Sequence, residues 1–422
     1  MSVAIVENRD FGGTCPNRGC TPKKVLVAAG HALHEIERAS SHCISVPKPA
    51  LDWSALIGRE KRLIRDIPDR LEAMLVHRGV ELIRGEGVFV GPKAVRVGDR
   101  LLLADHVIIA TGSRARPLIL PGAELLKTSD DLLKEPELPD SVVFIGCGVI
   151  SPEFGHGYAR AGVKVTILEV LPQLLPALDS DAVAVLQRES ERIGIDTATA
   201  VHIERVEEAH GRKRVVFTNS QGENAVDASW VVNGAGRVAN VDQFDLAAGE
   251  VDHSAGRIEM DTFLRSTSNP NVYVCGDAVA NSPQLSPIAT YEGNIVGRNI
   301  VDGPNHRPDY ASVPNVVYSV LALASLGLTE RAAREKGLHI KVQTTDMVDW
   351  LSARTYAETA AWAKIILDEA TDLILGAHFV GHSGEELINL FALAMAHGIP
   401  AKALKDKIYA YPTFSSDIKN LL

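Results

Sequence analysis

The sequence predicts an α/β chain of about three domains that ends in an α+β region. Three observations predict it. The chain has 422 residues, and domains average roughly 150. The stretch LPDSVVFIGCGVISPEFGHGYARAGVKVTILEV reads as strand, glycine turn, helix and strand, a βαβ unit of about 30 residues. After GPNHRPDY (303–310), rich in Gly, Pro and Asn, the character changes, and 315–422 reads as α+β.

Bulk composition narrows the functional classes. Hydrophobic residues make up 46% and charged residues 23%, so a chain this long builds its core without staples. A net charge of -10 argues against a nucleic-acid backbone or an anionic membrane as the main partner. The start, MSVAIVENRD, has too short an apolar run for a secretory signal. SVLALASLGL (319–328) is too short and too polar for a membrane span. A soluble, cytoplasmic protein is expected.

The elements follow in order. VAIVE reads as a short buried strand, and the glycine-rich turn FGGTCPNRGCTP comes next. KKVLVAAGHALHEIERA has helix composition, and DRLEAMLVHRG reads as a second helix. ELIRGEGVFVGPKAVRVGDRLLLADHVIIATGS reads as strands with turns at glycines, ending on the buried run HVIIA. Beyond the βαβ unit, hairpin-like strands lead to ASWVVNGAGR, and NVYVCGD is a buried strand ending in an acid. AKIILDEATDLILGAHFVG reads as paired strands, and EELINLFALAMAHGI as an amphipathic helix.

Gly146, Gly148 and Ser151 carry the first chemical signal. They follow the strand VVFI and open a helix. The first glycine makes the tight turn, the second lets backbone approach a pyrophosphate, and the third position needs a small residue for helix–strand packing. Ser151 is a conservative departure there. Pro152 suits a first helical turn, and the helix N-terminus suits a phosphate. Glu169 ends the next strand, 23 residues after Gly146. An acid there accepts from a ribose 2′-hydroxyl and repels a 2′-phosphate, which favours NAD over NADP.

Cys15 and Cys20 carry the second signal. No second Cys or His pair follows at zinc-ligand spacing, so no metal site is expected. A reducing cytosol disfavours an inert disulfide. A redox couple remains, with two ordinary buried thiols as the plainer alternative. Pro16 and Gly19 permit the distortion that would let the sulfurs meet, since i and i+5 diverge on an ideal helix. Pro22 suits the first turn of the following helix, which puts Cys20 near a helix N-terminus beside Lys23 and Lys24. Both features predict a lowered Cys20 pKa. Cys43, Cys147 and Cys275 are isolated and read as small buried hydrophobes.

With GGTCPNRGCTPKK, IIATGSRARPLILPG, VNGAGR, VYVCGDAV, LSPIATYEG, LGAHFVG and YPTFSSD in this order, the chain resembles the class I pyridine nucleotide-disulfide oxidoreductases. That family includes dihydrolipoamide dehydrogenase, glutathione reductase, mycothione reductase and mercuric reductase. The resemblance implies two Rossmann-like nucleotide-binding domains, for FAD and NAD, and a C-terminal α+β dimerisation domain. The implied FAD domain covers 1–122 and 257–305, the NAD domain 123–256 and the dimerisation domain 306–422. It also implies a homodimer acting on a small-molecule disulfide or dithiol.

By position, Cys15 is similar to the family's interchange cysteine, which attacks the substrate, and Cys20 to the one that contacts the flavin. Lys24 matches the lysine near the flavin ring, with Glu153 as its partner. Glu7 is similar to the acid that binds the adenosine ribose. Gly13, Thr14, Gly87, Thr111, Asp277 and Leu285 match other flavin-contacting positions. Gly236 and Arg237 match positions where the nicotinamide nucleotide passes. The implied mechanism carries electrons from NADH through flavin to the Cys15–Cys20 disulfide, and from Cys15 to an acceptor.

Two departures temper this. The family begins with a strand and glycine fingerprint about 30 residues upstream of the redox motif. Here eleven residues precede Gly12 and none forms it. The expectation is an N-terminally truncated flavin domain, with exposed sheet edges and weak or absent flavin binding. The alternative function is then a homologue that binds NAD and dimerises without redox chemistry. Second, the family's catalytic His-Pro-Thr-x-Ser-Glu reads Tyr411-Pro412-Thr413-Phe414-Ser415-Ser416, then Asp417. Tyrosine, with a pKa of about 10, is a poor base at neutral pH but donates a proton or hydrogen bond. Packing ahead of a cis proline is the other reading of Tyr411.

Overall fold

The computed structural model describes residues 1–280 and 282–422. The chain divides into two compact units. The first comprises Met1–Lys23, Arg59–Pro117 and Arg237–Tyr310; the second comprises Lys24–Gly58, Leu118–Gly236 and Ala311–Leu422. The fold is α/β, with a four-stranded parallel sheet and a five-stranded antiparallel sheet among its elements.

The first unit is built on short ladders. Ala4–Glu7 pairs in parallel with Glu81–Arg84, and Val107–Ile109 pairs in parallel with Val272–Val274. Each ladder is two-stranded among the described residues. Gly87–Gly91, Ala94–Val97 and Arg100–Leu103 form an antiparallel sheet. Ile109, Val272, Val274, Leu264 and Val296 share one core with Phe89. Gly249 belongs there because a Cβ would lie 2.8 Å from the Phe89 ring.

The second unit has wider sheets. Strands Ile195–Ala198, Lys164–Leu168, Ser141–Ile145 and Trp230–Asn233 lie side by side, all parallel. Every residue of Ser141–Ile145 is buried, as expected for a central strand covered on both faces. Its five-stranded antiparallel sheet runs in the order Pro314–Val317, Leu323–Gly327, Ile374–Gly381, Ala361–Asp368, Ile340–Asp346. Helix Gly384–Ala396 buries Leu387, Ile388, Phe391 and Ala394, one face at helical spacing, and Phe391 meets Phe379 on the sheet. No helix of the described residues is long and apolar enough to cross a membrane.

Two local features depart from the sequence reading. Helix Trp53–Ile64 was not anticipated, although Trp53, Leu56, Ile57 and Glu60 are buried at i, i+3, i+4 and i+7. Asp52 caps it by accepting from the Ala55 N–H at 2.9 Å. Cys43 is not a buried hydrophobe. It is exposed and closes a short 3₁₀ turn at φ 60°, whereas Cys147 and Cys275 are buried as expected.

Candidate active site

The redox motif folds as two helical pieces, Thr14–Arg18 and Cys20–Arg38, broken at Gly19. Glycine is required at the break by close approach. A Cβ on residue 19 would lie 3.0 Å from the Thr14 carbonyl oxygen and 3.2 Å from the Cys15 Cα. The break brings the two sulfurs together as free thiols, Cys15 half-buried and Cys20 exposed. Pro22 sits in the first turn of the second piece. Asn17 secures the loop by donating to the Phe11 and Gly13 carbonyls at 3.2 and 3.0 Å, and Arg18 pairs with Asp10 at 2.8 Å.

The pair titrates as one unit. The Cys20 thiol donates to the Cys15 sulfur and is the largest cause that draws Cys15 down to about 6. Burial opposes this; the Ser286 hydroxyl, the Cys20 N–H and the Lys23 charge add to it. The same shared proton pushes Cys20 up, with burial and the Cys15 charge behind it. The sequence predicted the lowered thiol at Cys20. Its helix-start position is as expected, but its proton is committed to its neighbour.

The first unit also holds the predicted flavin positions. Glu7 ends its strand and accepts from the Arg9 N–H at 2.7 Å. Gly13 has φ 69° and open space where a Cβ would stand, and Thr14 is exposed. Gly87 opens its strand, with the side chains of Val95 and Val6 beside its Cα. Thr111 donates to the Asn240 carbonyl at 2.6 Å. Leu285 precedes helix Ser286–Asp302.

Asp277 has a partner that the sequence did not suggest. The Ser113 hydroxyl donates a hydrogen bond to it at 2.8 Å, and Arg237 donates to the Ser113 hydroxyl at 2.8 Å. The Arg237 guanidinium is therefore committed to the TGS segment. Behind the Asp277 loop, the fully buried Glu292 accepts from the Gly276 N–H at 2.6 Å, and from the Ser282 and Tyr310 hydroxyls. Ser113 and Glu292 were missed because each acts through contacts outside its own element. The only signals were a serine after Thr-Gly and an acid in the middle of a helix.

The carboxyl ends of parallel strands are where α/β folds take nucleotides. The residues in this unit fit a flavin nucleotide's ribityl and ribose hydroxyls. Glu7 stands at such an end, Asp277 keeps one carboxylate oxygen beyond the Ser113 bond, and Gly13 leaves room above its backbone.

In the second unit, Gly146 (φ 89°) makes the tight turn of the fingerprint; a Cβ there would meet the Ala235 Cα at 2.5 Å. The Gly148 N–H donates to the Gly234 carbonyl at 2.9 Å, and Gly236 stands close to Gly148. Ser151 is fully buried and donates to the Gly146 carbonyl at 2.6 Å, so the serine closes the turn that glycine would leave open. Glu169 is buried and accepts from the Cys147 and Leu171 N–H groups at 2.5 and 2.9 Å. It braces the glycine loop, and its carboxylate has lone pairs left for a ribose hydroxyl.

Lys24 and Glu153 meet at Tyr318, which sequence reasoning also missed. The Lys24 ammonium stands 4.0 Å from the centre of the Tyr318 ring, and Glu153 accepts from the Tyr318 N–H at 2.9 Å. Tyr411 belongs to this unit, whereas the cysteines belong to the first. It is 74% exposed and precedes a cis peptide to Pro412, so it is no packing residue within the chain. The segment after it is pinned by Asp417, which accepts from Ser352 at 2.6 Å and meets the buried His382 Nε2 at 2.9 Å. Burial pushes the His382 pKa down.

A close cysteine pair on a helix start, a glycine fingerprint in a parallel sheet and an acid at a strand end define a nucleotide-dependent thiol–disulfide redox protein. Residues 1–293 match the family described as pyridine nucleotide-disulphide oxidoreductase, and residues 313–422 its dimerisation domain. The chain belongs to that family, whose enzymes are FAD-dependent. It is 31% identical to dihydrolipoyl dehydrogenase of Bacillus subtilis (strain 168), over 98% of this chain and 89% of that one. It is 29% identical to mercuric reductase of Bacillus cereus, over 99% of this chain and 66% of the relative. Among solved structures, the HOCl-induced flavoprotein disulfide reductase RclA from Escherichia coli superposes with a TM-score of 0.87 at 25% identity, covering 100% of this chain and 94% of that one.

Proposed function

We propose that this protein is a disulfide reductase that uses NADH and FAD to reduce the Cys15–Cys20 pair, which in turn reduces a small-molecule disulfide. The observation that carries the reading is the meeting of the two sulfurs across the Gly19 break. Glu7, Gly13, Thr14, Gly87, Thr111, Asp277 and Leu285 would hold the flavin nucleotide. Gly146, Gly148, Ser151, Glu169 and Gly236 would hold the nicotinamide nucleotide. Arg237 contributes by anchoring Ser113. FAD, when bound, supplies the two-electron link between nicotinamide and the disulfide. NAD is preferred over NADP. Glu169 repels a 2′-phosphate, and residues 170–179 hold no Lys or Arg to bind one.

The protein's own groups handle sulfur and protons. The Cys15 thiolate attacks a substrate disulfide, forming a mixed disulfide and releasing one substrate thiolate, which takes the Cys20 proton. The Cys20 thiolate then attacks Cys15 Sγ, closing the Cys15–Cys20 disulfide and releasing the second substrate thiolate, which takes a proton from solvent. Lys24 and Glu153 work as a unit braced by Tyr318, and Tyr411 offers a hydrogen bond to the substrate. We assign the domains as 1–122 with 257–305, 123–256 and 306–422, the last pairing two copies in a homodimer.

The test is an anaerobic titration of the FAD-supplemented protein with NADH. A long-wavelength charge-transfer absorbance is expected, with loss of two thiols' worth of disulfide. The Cys20→Ser variant is expected to lose the band. A protein that takes up no FAD, or a Cys20→Ser variant that keeps the band, refutes the assignment.

A further inference from the structure

Helix Ser286–Asp302 buries Ile288, Glu292, Ile295, Val296 and Asn299 along one face. Glu292 is fully buried there, where an apolar side chain would continue the stripe. A carboxylate in such a place destabilises the fold unless its bonds are made. Among the described residues, donors from three segments meet it. The Gly276 N–H donates to Oε2 at 2.6 Å, and the Ser282 and Tyr310 hydroxyls donate to Oε1. Burial pushes the Tyr310 pKa up, and the bond to Glu292 adds to it, so this hydroxyl keeps its proton and stays a donor.

The bonds converge on one turn. Strand Val272–Val274 leads through Cys275 into Gly276–Ala278, which carries Asp277. Gly276 has φ 69°, and a Cβ there would lie 3.2 Å from the Ala289 Cβ. The turn therefore runs against helix Ser286–Asp302, close enough for Glu292 to take its backbone N–H. The Asp277 carboxylate is fixed separately. Its Oδ2 accepts from the Ser113 hydroxyl at 2.8 Å, and Arg237 donates to that hydroxyl at 2.8 Å. Glu292 thus sets the backbone beside Asp277, and Ser113 sets its side chain.

We propose that Glu292 is a positioning residue that places Asp277 for the ribityl hydroxyls of the flavin nucleotide, with Ser282 and Tyr310 orienting its carboxylate. This rests on the flavin reading above and adds a residue that acts only through the Gly276 N–H. Without that acceptor the turn is loosened. An Asp277 that must be ordered on binding then holds its ligand more weakly, because the ordering is subtracted from the affinity.

Two measurements on the intact chain test it. The first follows hydrogen exchange at Gly276–Ala278 in the flavin-free protein. Glu292→Leu, which keeps the bulk and removes both acceptor oxygens, is expected to speed exchange there by about tenfold or more. Glu292→Gln, which keeps one acceptor oxygen, is expected to restore most of the protection. Exchange at Ser141–Ile145 in the second unit is expected to stay unchanged. The second measurement titrates FAD by the quenching of its fluorescence. Glu292→Leu is expected to weaken FAD by about 10–100-fold, the worth of one bond to a charged group. In an Asp277→Ala background the same substitution is expected to change FAD affinity by less than about threefold, because the group it positions is gone. A merely structural role would act equally in both backgrounds. Equal effects in the two backgrounds, or parent-like exchange and FAD affinity in Glu292→Leu, overturn the proposal. Should Glu292→Leu misfold, Tyr310→Phe decides, with an expected weakening of about 3–10-fold that also vanishes in Asp277→Ala. A parent that takes up no FAD refutes the flavin reading and this proposal with it. A parent that binds FAD and is indifferent to Glu292 refutes the positioning role alone.

Discussion

The two units build parallel ladders from similar sequence runs with different results. In the second unit VVFI and VTIL lie within a four-stranded sheet, and Val143, Phe144 and Ile167 are at most 1% exposed. In the first unit HVIIA and NVYV form a two-stranded ladder, and Ile108 is 47% exposed. A parallel strand is stable when both edges are paired and both faces covered. The second unit meets that condition internally, whereas the first leaves apolar surface and strand edges in reach of solvent. Ionisable groups divide the same way. Among the described residues, the buried histidines His34, His156, His378 and His382 lie in the second unit. So does Lys364, buried between Asp179 at 3.0 Å and Glu330 at 3.1 Å. The first unit holds the redox thiols, and burial also pushes Glu60, Tyr273 and Tyr310 up there. The redox thiols lie in the first unit and the buried histidines in the second.

Acid offers the largest test of this division. Burial lowers the His34 and His156 pKa values from 6.5 to about 4. Between those limits the unfolded chain takes up protons that the folded imidazoles refuse. Their contribution is therefore fully present above pH 6.5 and is lost as the pH falls toward 4. At about 1.4 kcal/mol per pH unit, each histidine forfeits roughly 3 kcal/mol. Hydrogen exchange at pH 7, 5.5 and 4.5, corrected for intrinsic rates, should show the second unit opening in acid before the first. Equal loss of protection in both units would break the comparison.

A matched pair of substitutions gives the next effect. Ile167→Ala removes a fully buried side chain from the four-stranded sheet and is expected to cost about 2–5 kcal/mol. Ile108→Ala acts on a half-exposed side chain and is expected to cost about 1 kcal/mol or less. Denaturant midpoints, read with the slopes, would show it. If Ile108→Ala costs as much as Ile167→Ala, Ile108 is covered in solution and the contrast between the units fails.

The elements that were legible in the sequence are those fixed by neighbours in the chain. The strand–turn–helix around Gly146 follows from local sterics, and so does the helix break at Gly19. The strand runs VVFI and VYV declared their burial by composition. What was not legible depends on segments that meet only after folding. Ser113 lies 164 positions from Asp277, so no spacing could pair them. Arg237 matched a nucleotide motif, and its bond to Ser113, 124 residues earlier, could not be read from spacing. Glu169 was read as a ribose ligand, and its loop-bracing bonds to Cys147 and Leu171 could not be seen from a strand end alone. Cys43 shows the reverse error, where residue type suggested burial and a left-handed turn put it at the surface.

The smallest expected effect lies at Tyr411, and it decides which unit manages protons. The residue is 74% exposed, and the segment behind it is held by Asp417 on Ser352 and His382. Removing its hydroxyl should change stability by less than about 0.5 kcal/mol. General acid–base catalysis is worth about 10²–10⁴-fold where a side chain carries it. If Cys15 is ionised by its own surroundings, Tyr411→Phe loses only a hydrogen bond to substrate. NADH-dependent turnover should then fall by less than about tenfold, mostly through KM, with an unchanged acid limb in the pH profile of kcat. A hundredfold loss in kcat would place proton transfer on the second unit, with Tyr411 as the acid.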